Sequence, residues 1–134
     1  MVNLNKFNTS KPEIIVQTYI NPSEDTNKVS FAMKNIFPNS EIKVKDNKLY
    51  FSSERFEELK KIREQIKSKA TFAVLKKVLF NNQKMNMTSF LLNKQAAFSG
   101  VVAIVEEEEE SPLGPIKIII KNKDIEEIIK WFES

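Results

Sequence analysis

Segments with the pattern of a β-strand alternate along this chain with segments that have the apolar spacing of an amphipathic helix. The strand-like segments, rich in Val, Ile, Tyr and Phe, cover residues 11–20, 41–45, 49–51, 85–92, 101–105 and 116–121. Apolar residues three and four apart predict helices within residues 23–37, 53–81 and 124–132. Because both kinds of element recur from one end to the other, we predict an α+β fold.

Capping and turn residues predict where these elements end. Ser23 and Asp124 precede helical patterns and are predicted to cap them, because a short polar side chain accepts a hydrogen bond from the first free backbone amides. Two apolar stripes within residues 53–81 are out of phase, which predicts two helices or one helix bent near residues 67–71. Residues 41–51 are predicted to form a hairpin with one buried face, and residues 93–100 a loop between strands.

Composition limits the chemistry that this chain can perform. Its 134 residues, 41% of them hydrophobic, suffice for a single domain over 1–134, of which we expect residues 1–10 to be flexible. The absence of Cys and His removes thiol and imidazole chemistry and His- or Cys-ligated metals. With only two glycines, a phosphate-cradling loop is not expected either. We therefore predict no cofactor, no metal and no catalytic residues.

The apolar segments are short. The longest runs, such as Val101 to Val105, are far below the roughly 20 residues that a membrane-spanning helix needs. The first residues also lack the apolar core of a secretory signal. We expect a cytoplasmic protein without a membrane partner.

Charge is distributed unevenly along the chain. Residues 1–105 contain 17 basic and 9 acidic side chains, whereas residues 106–134 contain 4 basic and 9 acidic ones. No Asp or Glu occurs from Gln65 to Val105, a stretch that contains six lysines. Such a stretch predicts a surface that faces an anion.

The first candidate binding residues lie within the predicted helix pair. Lys60, Arg63 and Lys67 fall within about 60° of one another on a helical wheel, and Lys69 extends the set. Side chains arranged in this way can follow a phosphate backbone and give salt-dependent affinity. The alternative is an ordinary lysine-rich surface.

The second candidate is the polar triplet Asn93, Lys94 and Gln95 between two strand-like segments. Its amides and ammonium group are chemically able to bind phosphate, ribose hydroxyls or base edges. The alternative is that Asn93 and Gln95 only satisfy the backbone of a loop. The run Glu106 to Glu110 is interpreted as a solvated segment rather than a metal site, because neighbouring carboxylates repel and point apart. Phe51, Phe90 and Phe98 are interpreted as core residues rather than stacking platforms for bases.

Two short motifs resemble the signature of an uncharacterised archaeal family of predicted RNA-binding proteins. They are Phe90 to Phe98 (FLLNKQAAF), followed by Gly100, and Pro112 to Ile116 (PLGPI). The resemblance extends over roughly residues 11 to 133. It implies helices packed on one face of a mixed or mostly antiparallel sheet, in a fold similar to that of the ribosomal L-five-type protein. It also implies RNA binding, and a related archaeal group is a proposed companion of the RNA-degrading exosome.

These observations predict a non-catalytic protein that recognises structured RNA. The predicted contacts are Lys60, Arg63, Lys67, Lys69, Asn93, Lys94 and Gln95. The alternative is an assembly module, in which an edge strand pairs with a second copy or with a subunit of an RNA-processing complex; the strand Ile116 to Ile120 is where that alternative is tested. An enzyme that uses lysine or carboxylate chemistry is a third possibility, which convergent acids in a deep pocket would favour.

Overall fold

The computed structural model describes residues 11–108 and 113–134. Within these ranges the chain forms six strands, five α-helices and one 3-10 turn. In chain order they are β1 (Glu13–Tyr19), α1 (Thr26–Ile36), β2 (Lys43–Lys45), β3 (Lys48–Ser53), the 3-10 turn (Phe56–Leu59), α2 (Lys60–Gln65), α3 (Lys69–Asn81), β4 (Met87–Asn93), α4 (Lys94–Ala97), β5 (Ile104–Val105), β6 (Pro115–Lys121) and α5 (Ile125–Glu133). None of the described helices is long and apolar enough to cross a membrane.

The six strands form one sheet in the order β2-β3-β1-β6-β4-β5. Every pair of neighbours is antiparallel, which decides between the mixed and the antiparallel sheet that the family resemblance left open. The edges are β2 and β5, of three and two residues, and such short edges offer little backbone for pairing with another chain. β6 is internal, paired with β1 and β4. The choice of Ile116 to Ile120 to test edge pairing was therefore wrong.

One face of the sheet is buried under the helices. Alternate residues of the central strands, such as Val16 and Ile118, are fully buried. They belong to one core cluster with the apolar stripes of the helices, represented by Met33, Leu79 and Phe132. The α+β class and the packing of helices on one sheet face are thus confirmed. The closer likeness to the ribosomal L-five-type protein stays a prediction.

The helix ends confirm one of the two predicted N-caps and the predicted break between two helices. Asp124 caps α5 as predicted, since its carboxylate accepts a hydrogen bond of 2.9 Å from the Glu127 amide. The cap of α1 is Asp25, not Ser23, and its carboxylate accepts from the Asn27 amide at 2.8 Å. The predicted break in residues 53–81 is confirmed, because α2 ends at Gln65 and α3 begins at Lys69.

Two local predictions were wrong. Residues 93–100 are not a loop: α4 follows β4 at once, and the turn after it ends at Gly100, whose φ of +73° favours glycine. The hairpin of β2 and β3 forms, but all three residues of β2 are exposed because it is an edge strand, and only β3 contributes buried residues. Pro112 and the end of the glutamate run lie outside the described residues.

A buried ion pair joins four segments at one end of the sheet. The Lys94 ammonium donates to the Glu24 carboxylate at 3.0 Å and to the carbonyl oxygens of Tyr19 and Leu113 at 2.6 and 2.7 Å. Both charged side chains are shielded, with 0% of Lys94 and 6% of Glu24 exposed. The Asn21 amide also donates to Glu24, at 2.9 Å. Lys94 therefore fixes the end of β1, the start of α1 and the approach to β6 around the junction of β4 and α4.

Replacing Lys94 by Met is expected to lower the free energy of unfolding by about 3–5 kcal/mol, because the Glu24 carboxylate would stay buried without its counter-charge. The measurement is urea unfolding followed by circular dichroism. Lys28→Met is the matched control: Lys28 is exposed on α1, so its loss should change stability by less than about 0.5 kcal/mol.

The double variant Lys94→Met, Glu24→Gln separates the ion pair from the loss of packing. Since the second substitution removes the unpaired charge, the double variant should be more stable than Lys94→Met alone. A double variant whose loss equals the sum of the two single losses would show that the pair does not stabilise the fold.

Candidate nucleic-acid interface

The four basic residues predicted on the helix pair occupy different environments. Lys60 and Arg63 lie on α2, Lys67 lies in the link to α3, and Lys69 is the first residue of α3. Lys60, Lys67 and Lys69 are exposed, whereas Arg63 is half-buried. Lys67 and Lys69 therefore remain available as a pair.

Arg63 is committed to contacts within the protein. Its guanidinium lies 4.3 Å from the centre of the Trp131 ring, and Nη1 donates to the Ser134 hydroxyl at 3.2 Å. The Trp131 ring also stacks on Phe56, with centroids 5.2 Å apart and ring planes 18° apart. Arg63 thus fastens the C-terminal helix to α2, and its role towards RNA stays a prediction.

Acidic neighbours surround Lys60. It lines a shallow cavity of about 310 Å³ together with Glu57, Glu58 and Glu64. Lys61 also lines this cavity, and its ammonium donates to the carbonyl oxygen of Asn35. Three carboxylates beside two ammonium groups make this surface unfavourable for a polyanion. The acid-free stretch begins only after Glu64, which is why Lys67 and Lys69 are better placed than Lys60.

The triplet of Asn93, Lys94 and Gln95 is not an exposed loop. Asn93 caps α4, since its side-chain oxygen accepts from the Ala96 amide at 2.9 Å. Lys94 is buried with three partners, so in this structure its ammonium does not reach the surface. Gln95 alone of the three is exposed. These three side chains do not form one exposed polar surface, and their contact with RNA stays a prediction.

The stretch that lacks Asp and Glu in the sequence has acidic neighbours in the folded structure. The Lys77 ammonium pairs with the Glu106 carboxylate at 3.4 Å, which places the first glutamate of the run beside α3. Among the described residues, no three acidic side chains converge in a group that could hold a metal ion. Phe51 and Phe90 are buried in the core, as interpreted from the sequence, and Phe98 packs against it.

A more basic surface lies on the sheet face opposite the helices, here called the outer sheet face. Directly opposite residues of antiparallel strands point to the same side, so the register assigns its members. Among the described strand residues its cations are five lysines from three strands: Lys43, Lys45, Lys48, Lys117 and Lys121. Its aromatic residues are Tyr19 and Tyr50, and its polar residues include Gln17 and Ser52.

The cations on this face are close to one another. Lys45 lies opposite Lys48, which lies opposite Tyr19; Lys43 lies opposite Tyr50 in the next row. Adjacent strands are about 4.8 Å apart, so these ammonium groups repel one another unless an anion lies between them. The described strand residues of this face include one acidic residue, Glu13, which lies opposite Lys121.

The outer sheet face is not equally accessible along its width. Lys43, Lys45 and Tyr19 are exposed, and Lys48, Tyr50, Lys117 and Lys121 are half-buried. Towards β5, Leu91 and Val105 are buried although they share the row of Lys117. The accessible basic region therefore covers β2, β3, β1 and β6.

The sequence contained a signal for this surface. In the segments Lys43 to Lys45, Lys48 to Tyr50 and Lys117 to Lys121, lysine or tyrosine stands at every second or fourth residue. Side chains two residues apart share one face of a strand, so these residues were predictably on one side. What the sequence did not supply was the strand order, which places the hairpin of β2 and β3 on one side of β1 and the distant β6 on the other.

Known relatives cover nearly the whole chain. A family model described as RNA binding matches residues 13–122. A UPF0201 protein from Sulfurisphaera tokodaii is 36% identical over 123 residues, which are 89% of this chain and 85% of the relative. A UPF0201 protein from Thermococcus onnurineus is 34% identical, with 89% of each chain covered.

Solved structures agree with these relatives. The crystal structure of a UPF0201 protein from Methanococcus jannaschii is 31% identical, with a TM-score of 0.73 over 90% of this chain and 92% of that one. A DUF54 protein from Sulfolobus solfataricus, 20% identical, shares the fold with a TM-score of 0.62 over 89% and 98% of the two chains. The resemblance to an archaeal family of predicted RNA-binding proteins is confirmed, and this chain belongs to the UPF0201 family.

Proposed function

We propose that this protein binds RNA without catalysing a reaction on it, and that the outer sheet face is its main contact with the phosphate backbone. The observation that carries the proposal is the segregation of charge on that face, where the described strand residues include five lysines and one glutamate. Lysines at such spacing bind phosphates and release condensed counterions. The family model described as RNA binding supports the same role.

The non-catalytic part of the proposal rests on the available side chains. The chain has no His and no Cys, the residues used most often as general bases and thiol nucleophiles. Glu24 is buried beside Lys94, Glu106 pairs with Lys77, and Asp124 caps a helix. In these places they serve the fold rather than a reaction.

Lys67 and Lys69 form a second candidate contact, the part of the sequence-based prediction that the geometry favours. Both are exposed, and they lie at the start of the acid-free stretch beyond the carboxylates that surround Lys60. Two lysines add less electrostatic affinity than five. We therefore propose them as an auxiliary contact, with the outer sheet face as the principal one.

Replacing Lys43, Lys45 and Lys121 together by Gln tests the principal contact. If each lysine contacts one phosphate, the slope of log Kd against log salt should fall by about 2 to 3, and affinity near 50 mM salt should fall by orders of magnitude. The measurement is fluorescence anisotropy with a labelled RNA of mixed sequence. Lys48 is kept intact because its ammonium lies over the Tyr50 ring.

Replacing Lys60, Lys67 and Lys69 together by Gln is the matched comparison, because it removes the same charge from exposed positions elsewhere. We expect a fall in slope of at most about 2, from the auxiliary contact alone. A larger effect here than from the sheet substitutions would move the principal interface to the helix pair. RNA binding by neither the parent protein nor the variants would overturn the proposal, and light scattering of the parent would then test the assembly alternative.

A further inference from the structure

The two tyrosines of the outer sheet face are neighbours on adjacent strands. Tyr19 lies opposite Lys48, and Tyr50 lies opposite Gln17, so the rings occupy diagonal positions of the β1–β3 pair. Tyr19 is 60% exposed, an unusual fraction for a large aromatic side chain at the end of a central strand. The exposed Tyr19 and the half-buried Tyr50 thus lie beside the lysines of β2 and β3.

Lys48 lies between the two rings. It is directly opposite Tyr19, and its ammonium is 5.4 Å from the centre of the Tyr50 ring. The Lys48 side chain is long and flexible, so its ammonium can leave the Tyr50 ring and bind a phosphate close by. Lys45 lies on its other side in the same row. Two ring surfaces with a cation between them fit two consecutive nucleotides and the phosphate that joins them.

The distance between the two rings determines whether neighbouring bases that bind them are stacked on each other. Diagonal side chains on an antiparallel pair are about 7–8 Å apart at their origins. Stacked bases in a helical strand are only about 3.4 Å apart, so two bases that each stack on one of these rings cannot stay stacked on each other. Bases within a duplex are inaccessible to both rings. The geometry thus favours unpaired and unstacked nucleotides.

We infer, on the basis of the proposed function, that the outer sheet face binds single-stranded RNA, with adjacent bases stacked on Tyr19 and Tyr50 and the joining phosphate bound by Lys48. Gln17 lies beside both rings, two residues before Tyr19 and opposite Tyr50, and its amide supplies a donor and an acceptor for a base edge. The ligand class therefore differs from the structured RNA that the sequence predicted.

The test replaces Tyr19 and Tyr50 together by Leu, with the Tyr19→Phe, Tyr50→Phe variant as the matched control. Stacking of a base on an aromatic ring contributes about 1–3 kcal/mol, so each lost ring should weaken binding of a single strand of about ten nucleotides by roughly 5- to 150-fold. The Phe variant keeps both rings and should bind within about threefold of the parent protein. Thermal unfolding of each variant verifies that the fold is intact.

Three readouts distinguish stacking from electrostatics. The parent should bind the single strand more tightly than a blunt duplex of the same sequence. It should bind an abasic strand of equal length as weakly as the Leu variant binds RNA, because the abasic strand retains the phosphates and lacks the bases. The salt dependence should be unchanged in the Leu variant, since no phosphate contact is removed.

The outcomes separate this inference from the proposed function. Equal binding of single strand and duplex, with no effect of the Leu substitutions, would overturn the inference, while a salt slope that still depends on Lys43, Lys45 and Lys121 would leave RNA binding by the sheet in place. Loss of affinity in the Phe variant equal to that in the Leu variant would show that the tyrosine hydroxyls, not the rings, make the contact. No binding of any RNA would overturn both.

Discussion

The register in which β1 pairs with β3 and β6 determines both the core and the surface of this protein. It places Ile14 and Val16 beneath the helices and, by the same alternation, Gln17 and Tyr19 on the outer sheet face. A shift by one residue would exchange the two sets and expose the core, so burial of the apolar set holds the lysines and tyrosines in their rows. The packing of the core therefore fixes the positions of the side chains in the candidate interface.

The Lys94–Glu24 pair acts on the same register from one end. Lys94 is fully buried, and its ammonium donates to the carbonyl oxygen of Tyr19, the residue whose side chain is exposed on the outer sheet face. The backbone of Tyr19 is therefore held by a buried charge while its ring stays free for a ligand. A binding residue on a rigid strand end loses little freedom on binding, which favours affinity. Lys94 thus holds the backbone of Tyr19 from the buried side of the sheet end.

The predictability of each part of the structure depended on how local its cause is. The Asp124 cap and the break before Lys69 follow from residues a few positions away, and the sequence predicted both. Lys94 could not be recognised as a buried residue, because its partners Glu24 and Tyr19 are 70 and 75 residues distant. Helix α4 was missed because four residues give no apolar period. Its sequence signal was Asn93, a residue type preferred at the N-cap, whose side chain accepts from the Ala96 amide. The strand types were predictable; their order in the sheet was not.

A window of sequence is a poor guide to charge in a sheet protein. The longest acid-free stretch of this chain contains Lys94, which is buried with Glu24, and Lys77, which pairs with Glu106. The most basic face instead draws single lysines from segments as far apart as Lys43 and Lys121. Alternation along each strand places these lysines and tyrosines on that face, where Ile15 and Ile119 also lie, and strand pairing brings the cations and rings of different segments together. Such a basic surface becomes visible in the sequence only when each strand residue is assigned to one face of the sheet and the charges of that face are then counted.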